Sequence, residues 1–280
     1  MALPDFLIIG AMKCGTSTLA AQLAAQPGVF MTEPKEPNFF SDDAVFARGR
    51  GWYEGLFAEA APGELKGEAS THYTKLPTHP DALARMAGML AAPRLVYMIR
   101  DPLDRLVSHY IHAWSEGTIR TGLSDALEAR PELVDYGRYA MQIAPYVDHY
   151  GAEAVCLTSL ERLTADPGGE LARIGAFLGL PAPAVWQAEE ARHNVSAERV
   201  RRFPGYALAV DNPVATALRR ALVPKGLRSA VRARLTMRAR PALTAEETAR
   251  LRPVFAGDRA ALARLLPEGP DLSASYPWLA

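Results

Sequence analysis

The chain has 280 residues, 49% apolar and 22% charged, with 31 Lys and Arg balanced by 31 Asp and Glu. These proportions exclude a disordered, collagen-like or coiled-coil chain and suit one large α/β domain. No run approaches the roughly 18 apolar residues of a membrane span. Two cysteines, Cys14 and Cys156, are too few for a disulfide framework and point to a reducing cytoplasm. The start, MALPDFLIIGAM, lacks a basic stretch and carries Asp5 before its apolar run, so it is not read as a signal peptide. The Ala- and Arg-rich composition suggests a GC-rich bacterial genome.

Residues 6–9 form a short apolar run closed by Gly10, the pattern of a buried strand. A helix over 16–26 ends at Pro27-Gly28. Residues 29–31 are a second short strand, and 32–37 a Pro-rich loop. Residues 65–70 are a third strand and 80–90 a helix. The run RLVYMI over 94–99 is apolar throughout rather than alternating, as in parallel strands covered on both faces. Helices over 103–115 and 139–149, a strand over 154–158 and a helix over 169–178 follow. This alternation predicts an α/β fold with a doubly wound, mainly parallel sheet, helices on both faces and ligands at the carboxyl ends of the strands.

After Pro181 no strand pattern remains. Residues 206–240 are rich in Ala, Leu and Arg, with Leu218, Leu222, Leu227, Val231 and Leu235 at helix-like spacings, and a last helix covers 245–266. The expectation is a single domain over 1–280: an α/β core over 1–205, a basic helical lid or insertion over 206–240, and a helical C-terminal part over 241–280. Residues 192–240 hold twelve Arg and Lys against Glu198 and Asp211, a surplus of ten positive charges that the rest of the chain offsets. Such a block looks for anions: a phosphate ligand, an acidic partner or a membrane surface. Nothing resembles a nucleic-acid module or an internal repeat.

The first strand and first helix are joined by Gly10-Ala11-Met12-Lys13-Cys14-Gly15-Thr16-Ser17-Thr18. Glycines let a backbone turn tightly and approach a phosphate, and the helix start adds unpaired N–H groups and a positive dipole end. Compared with the nucleoside-triphosphate loop GxxxxGK[ST], the glycines keep their spacing, but Thr16 replaces the lysine and a lysine lies inside the loop, at Lys13. From there Lys13 reaches the atom that bridges a transferred group and its leaving phosphate. Thr16, Ser17 and Thr18 add hydroxyl donors for a 5′-phosphate. Loss of the usual lysine argues against ATP hydrolysis. A tight turn without a ligand is the bland alternative. Cys14 is either a small loop residue or, beside Lys13 at a helix start, an acidic thiol.

The stretch RLVYMIRDPLDRLVSHY sets Arg100 at the end of a strand, Pro102 at a helix start and Ser108 within that helix. Arg100 and Ser108 can clamp a second phosphate. The alternatives are an Arg100 paired with Asp101 or Asp104, and a magnesium-binding strand end with Asp101 as ligand, which the adjacent Arg100 disfavours.

Together these motifs resemble the sulfotransferases that use 3′-phosphoadenosine 5′-phosphosulfate (PAPS), with a P-loop-like fold. Lys13 to Thr18 look like their 5′-phosphosulfate loop, and Arg100 with Ser108 like their 3′-phosphate site. Lys35-Glu36-Pro37-Asn38-Phe39-Phe40 resembles the KExxFF segment of the carbohydrate-type and bacterial branch. Gly51-Trp52-Tyr53, the 67–73 stretch GEASTHY and the 177–180 stretch FLGL fit further segments. Many carbohydrate-type members carry a lysine where this chain has Ala69. RHNVSAER over 192–199 stands where a C-terminal phosphate-binding stretch belongs, with Ser196 and Arg199 as its cofactor contacts.

The resemblance implies in-line sulfuryl transfer from PAPS to an acceptor hydroxyl, with adenosine 3′,5′-bisphosphate (PAP) leaving and no metal. It makes Glu36 the general base, its pKa raised by Phe39 and Phe40, Lys13 the stabiliser of the leaving oxygen, and His72 the alternative base. The PAPS contacts are Lys13, Cys14, Gly15, Thr16, Ser17, Thr18, Arg100, Ser108, Ser196 and Arg199. The acceptor is a small-molecule, lipid or carbohydrate hydroxyl, with no nucleic acid. Residues 206–240 are a lid, a membrane-surface segment or a solvated hairpin. Rival readings are a P-loop kinase or NTPase and a non-catalytic nucleotide-binding homologue. Trp52 and Tyr53 and the tyrosines 136, 139 and 146 are expected mainly to pack, and His109 and His112 to be surface or hydrogen-bonded residues.

Overall fold

The computed structural model describes residues 3–189, 236–237 and 239–279. Five strands, β1 (Phe6–Gly10), β2 (Val29–Met31), β3 (Leu65–Ala69), β4 (Arg94–Ile99) and β5 (Val155–Ser159), form one sheet in the order β2-β3-β1-β4-β5. Every pairing is parallel. β1 and β5 are buried along their whole length, and β4 is buried from Leu95 to Ile99. Side chains alternate between faces along a strand, so such continuous burial means that both faces of the sheet are covered. The chain leaves β1 toward β2 on one side and later crosses to β4 on the other. Where strand order diverges in this way, a crevice opens at the carboxyl ends.

The helices among the described residues are α1 (Thr16–Ala24), α2 (Asp43–Phe46), α3 (Arg50–Gly55), α4 (Ala82–Ala87), α5 (Pro102–Ser115), α6 (Leu123–Ala129), α7 (Glu132–Asp135), α8 (Tyr139–Tyr150), α9 (Leu160–Ala165), α10 (Pro167–Leu178) and α11 (Ala245–Leu265). All five expected strands and the long helices are present. α4 is shorter than its pattern: it begins after Asp81 and ends at Gly88. α5 starts at Pro102 because the Asp101 carboxylate accepts the N–H groups of Leu103 and Asp104. α11 opens on a reciprocal capping box between Thr244 and Glu247. The FLGL stretch is a helix end: Gly179, at φ 80°, closes α10, and a Cβ there would lie 2.9 Å from Arg94 Nη1.

One core surrounds the sheet. A second joins α5 to α6, α7 and α11 through Leu106, Tyr110, Leu127, Leu133 and Phe255. Ser196, Arg199 and nearly all of 206–240 lie outside the described residues. No helix of the described residues is long and apolar enough to cross a membrane.

Candidate active site

The loop after β1 is built around two glycines that admit no side chain. A Cβ on Gly10 would stand 2.0 Å from Thr74 Oγ1. Thr74 itself donates to the Ile9 carbonyl at 2.7 Å, binding the turn after β3 to the end of β1. Gly15 caps α1 at φ 93°, where a Cβ would sit 2.9 Å from Leu160 Cδ1. Lys13 also takes a left-handed backbone, φ 68°, a conformation that costs a non-glycine residue energy and is concentrated at ligand sites. α1 has no side-chain cap. Thr18 and Leu19 donate their N–H groups to the Gly15 carbonyl, so the N–H groups of Thr16 and Ser17 are the ones that precede a helical acceptor and suit an anion. Thr16 is buried, Thr18 half-buried and Ser17 exposed.

Cys14 differs from its neighbours. Its N–H is donated to the Ala11 carbonyl, and its sulfur lies 3.6 Å from the Tyr139 hydroxyl in the core. Burial pushes the thiol up to about 12, which overturns the acidic-thiol alternative: desolvation outweighs the positive groups around it.

Arg100 stands at the end of β4, beside this loop. Its Nη1 donates to Ser108 Oγ at 3.1 Å and its Nη2 to Asp104 Oδ2 at 3.0 Å. The clamp with Ser108 and the ion pair with Asp104 therefore coexist. Arg240 reaches the same carboxylate, 3.3 Å from Asp104 Oδ1, so the end of the basic stretch lies against the Arg100 cluster. Sequence reasoning missed this contact because 136 residues separate the partners. It also missed Tyr139, which joins the two phosphate motifs: its hydroxyl donates to the Arg100 carbonyl at 2.8 Å while touching the Cys14 sulfur. Asp101 is engaged as the cap of α5. Among the described residues no group of three or more acidic, His or Cys side chains could hold a metal ion.

Glu36 lies on the loop after β2, its N–H donated to the Ala69 carbonyl at the end of β3. Its backbone is left-handed, φ 60°. The expected rise of its pKa is corrected here. Burial does work upward, but the Lys35 ammonium 2.6 Å away, followed by the charges of Lys75 and His72, holds the carboxyl below its ordinary range. Phe39 and Phe40 are buried in the core, and their apolar surroundings lose to the ammonium groups of Lys35 and Lys75. His72, stacked on His79 at 4.8 Å, is pushed down to about 4 by burial and by the charges of Lys75 and His79.

Lys75 is the buried charge acting on Glu36 that the sequence did not reveal. It follows the short turn after β3, is 7% exposed, and has its ammonium 5.9 Å from the Tyr136 ring centre. Burial lowers its pKa to about 8, with Glu36 opposing the fall. Nothing in the stretch THYTKLP distinguishes it from a solvated lysine. Trp52 and Tyr53 take the packing role: Tyr53 is buried and stacks on Phe39 at 4.3 Å, and Arg48 covers the Trp52 ring. Of the surface and hydrogen-bonded positions expected for His109, the structure gives the second: it is buried, stacked on Tyr136, with its Nδ1 3.5 Å from Arg105 Nη1.

Comparison with known proteins places these features in context. A family model described as "Sulfotransferase domain" matches residues 3–209. Mouse heparan sulfate glucosamine 3-O-sulfotransferase 3B1 is 30% identical over 187 residues, which cover 64% of this chain and 46% of that protein. Mouse heparan sulfate glucosamine 3-O-sulfotransferase 6 is 30% identical over 186 residues, 63% of this chain and 52% of that protein. The chain thus spans about half the length of these curated relatives. A sulfotransferase from Alicyclobacillus acidocaldarius superposes with a TM-score of 0.69 at 24% identity, covering 98% of this chain and 99% of that one. Mouse sulfotransferase SULT7A1 complexed with PAP gives 0.56 at 16% identity, covering 99% of this chain and 89% of that one. These two likenesses show the fold.

Proposed function

The chain belongs to the sulfotransferase family, and on that premise we propose that it moves the sulfuryl group of PAPS to an acceptor hydroxyl. The observation that carries this reading is the meeting, at the carboxyl ends of neighbouring strands β1 and β4, of an uncapped helix start with Lys13 in its loop and an Arg100–Ser108 clamp. Two separated anion sites suit a nucleotide with phosphate groups at both its 5′ and 3′ positions.

In the proposed reaction the acceptor oxygen bonds to sulfur as the bond from sulfur to the bridging oxygen breaks, and PAP leaves. Glu36 takes the acceptor proton. Lys13 neutralises charge on the bridging oxygen, and the first turn of α1 holds the 5′-phosphate. Arg100 and Ser108 hold the 3′-phosphate and so fix the line of attack. Held below the ordinary carboxylate range, Glu36 is deprotonated throughout the neutral range and ready to accept.

The acceptor class proposed first is a carbohydrate hydroxyl, supported by the names of the curated relatives. Small-molecule and lipid hydroxyls belong in the same screen. Two free, buried cysteines suit a reducing compartment. Thermal unfolding with PAP alone, and separately with ATP and magnesium, tests the nucleotide class. A ligand at a hundred times its Kd adds about 2.7 kcal/mol, so PAP should raise the midpoint by on the order of 4–8 °C. A shift only with ATP and magnesium overturns the proposal. A PAP shift opens the way to an acceptor screen with PAPS.

A further inference from the structure

Glu68 is fully buried at the end of β3 and bears no part in the reaction described above. Among the described residues no cation pairs with it. Its partners are three hydroxyl groups: Ser70 Oγ donates to Oε1 at 2.6 Å, the Tyr73 hydroxyl to Oε1 at 2.5 Å, and the Tyr53 hydroxyl to Oε2. Each of these three side chains also touches the loop that carries Glu36. Ser70 Oγ accepts the Asn38 N–H at 3.1 Å. The Tyr73 hydroxyl accepts the Phe40 N–H at 3.5 Å. The Tyr53 ring stacks on Phe39 at 4.3 Å and meets Phe40 edge-on at 5.1 Å.

The chemistry of this arrangement is directional. Burial raises the Glu68 pKa and the three hydroxyl donors oppose the rise; in its ionised form the carboxylate only accepts, and each hydroxyl then turns its proton inward, toward Glu68. Two of them then offer lone pairs outward, where backbone N–H groups require them. The loop needs such support, since both Glu36 and Asn38 adopt left-handed backbone, at φ 60° and 55°, a state that persists in non-glycine residues only where surrounding structure imposes it. We propose that Glu68 is a positioning residue for the general base: through Ser70, Tyr73 and Tyr53 it clamps residues 38–40 and thereby holds Glu36 in place. This inference rests on the reading of Glu36 as the base.

The variants that test it are Ser70→Ala and Tyr73→Phe, each of which removes one outward acceptor and keeps the carboxylate. Three measurements are made on each: the melting temperature, PAP affinity, and the titration of the Glu36 carboxyl by carbon NMR, its signal assigned by its loss in Glu36→Gln. PAP affinity should stay within about twofold, because the nucleotide loop has no part in the clamp. The Glu36 midpoint should rise by about half a pH unit or more as the carboxyl drifts from Lys35, Lys75 and His72. In Glu68→Gln a single amide oxygen can still serve Ser70 and Tyr73, so that variant should keep the Glu36 midpoint closer to the native value than Glu68→Ala does.

An unmoved Glu36 midpoint in a folded Ser70→Ala or Tyr73→Phe overturns the inference. So does PAP affinity falling in step with the melting temperature, which marks general damage. If Tyr73→Phe fails to fold, Ser70→Ala carries the test. Turnover of Glu36→Gln separates the two ideas: full activity there defeats the base assignment, whatever the clamp variants do.

Discussion

The two sides of the candidate site are held by different means. The nucleotide side is mostly backbone: a loop whose glycines admit no Cβ, a helix start without a side-chain cap, and one arginine anchored to the helix that follows it. The base side is mostly side chain: Glu36 among Lys35, His72 and Lys75, over a buried carboxylate with three hydroxyl partners. A backbone site tolerates changes around it as long as the turn survives. A side-chain site depends on charge balance, and one altered neighbour changes the base. Variants on the two sides should therefore fail in different ways.

The largest contrast is between Glu36→Gln and Lys13→Ala. Loss of the general base should lower turnover by about 10²–10⁴-fold and leave PAP affinity near the native value. Loss of Lys13 should lower turnover by about 10²–10³-fold and weaken PAP binding as well, because the ammonium is placed to meet both the leaving oxygen and its product. Steady-state kinetics with PAPS alongside calorimetric PAP titration checks the pair. Equal loss of PAP affinity in both variants would erase the distinction between the two sides.

How far each side was legible follows from the same difference. Gly10, Lys13, Gly15 and Thr16 are close in sequence, and so are Arg100 and Ser108. A strand, a tight loop and a helix start can be recognised within one window, and the structure brings each set together. The base side is assembled from residues near 36, 53, 70 and 136, and no local pattern joins them. Glu36 is identified only through the resemblance of its segment to a family motif, and its pKa falls where a rise was expected because the side chain of Lys35 turns onto its carboxyl, with Lys75, invisible in the sequence, adding to the effect. Phe39 and Phe40 do surround the loop with apolar groups, but the adjacent Lys35 ammonium, seconded by Lys75 from another segment, outweighs them. The strands were legible as continuous apolar runs. α2 and α7, of four residues each, were not, since so short a helix displays little more than one turn of periodicity.

A middle-sized effect is expected at Lys75, where stability and function should part. Its folded pKa, about 8, lies below the value of 10.5 expected without burial. Between these values the unfolded chain holds more protons than the folded one, so stability rises with pH across that window. Below about pH 8 the fold bears the full cost of a buried ammonium. Lys75→Met should therefore raise the melting temperature at pH 7, by on the order of 2 kcal/mol of stability, and should flatten the rise between pH 8 and 10. The same change should move the Glu36 midpoint upward, since one of the charges that hold it down is gone. A melting temperature that falls at pH 7 would show that attraction to Glu36 outweighs desolvation at this site.

The smallest effect is expected at His72, the rival base. Burial and the nearby charges of Lys75 and His79 leave this imidazole neutral above about pH 4. At pH 7 it therefore adds no positive charge beside Glu36. As a base it would have to become an imidazolium against those same neighbours, stacked on a second histidine 4.8 Å away. Glu36 accepts its proton with loss of a charge, not creation of a new cation in a crowded cationic pocket. His72→Ala should accordingly keep turnover within about threefold of native at pH 7, on the ordinary scale of a change that leaves the proton acceptor in place. A His72→Ala loss of a hundredfold or more, with Glu36→Gln still active, would transfer the role of base to the histidine and turn Glu36 into its charge partner.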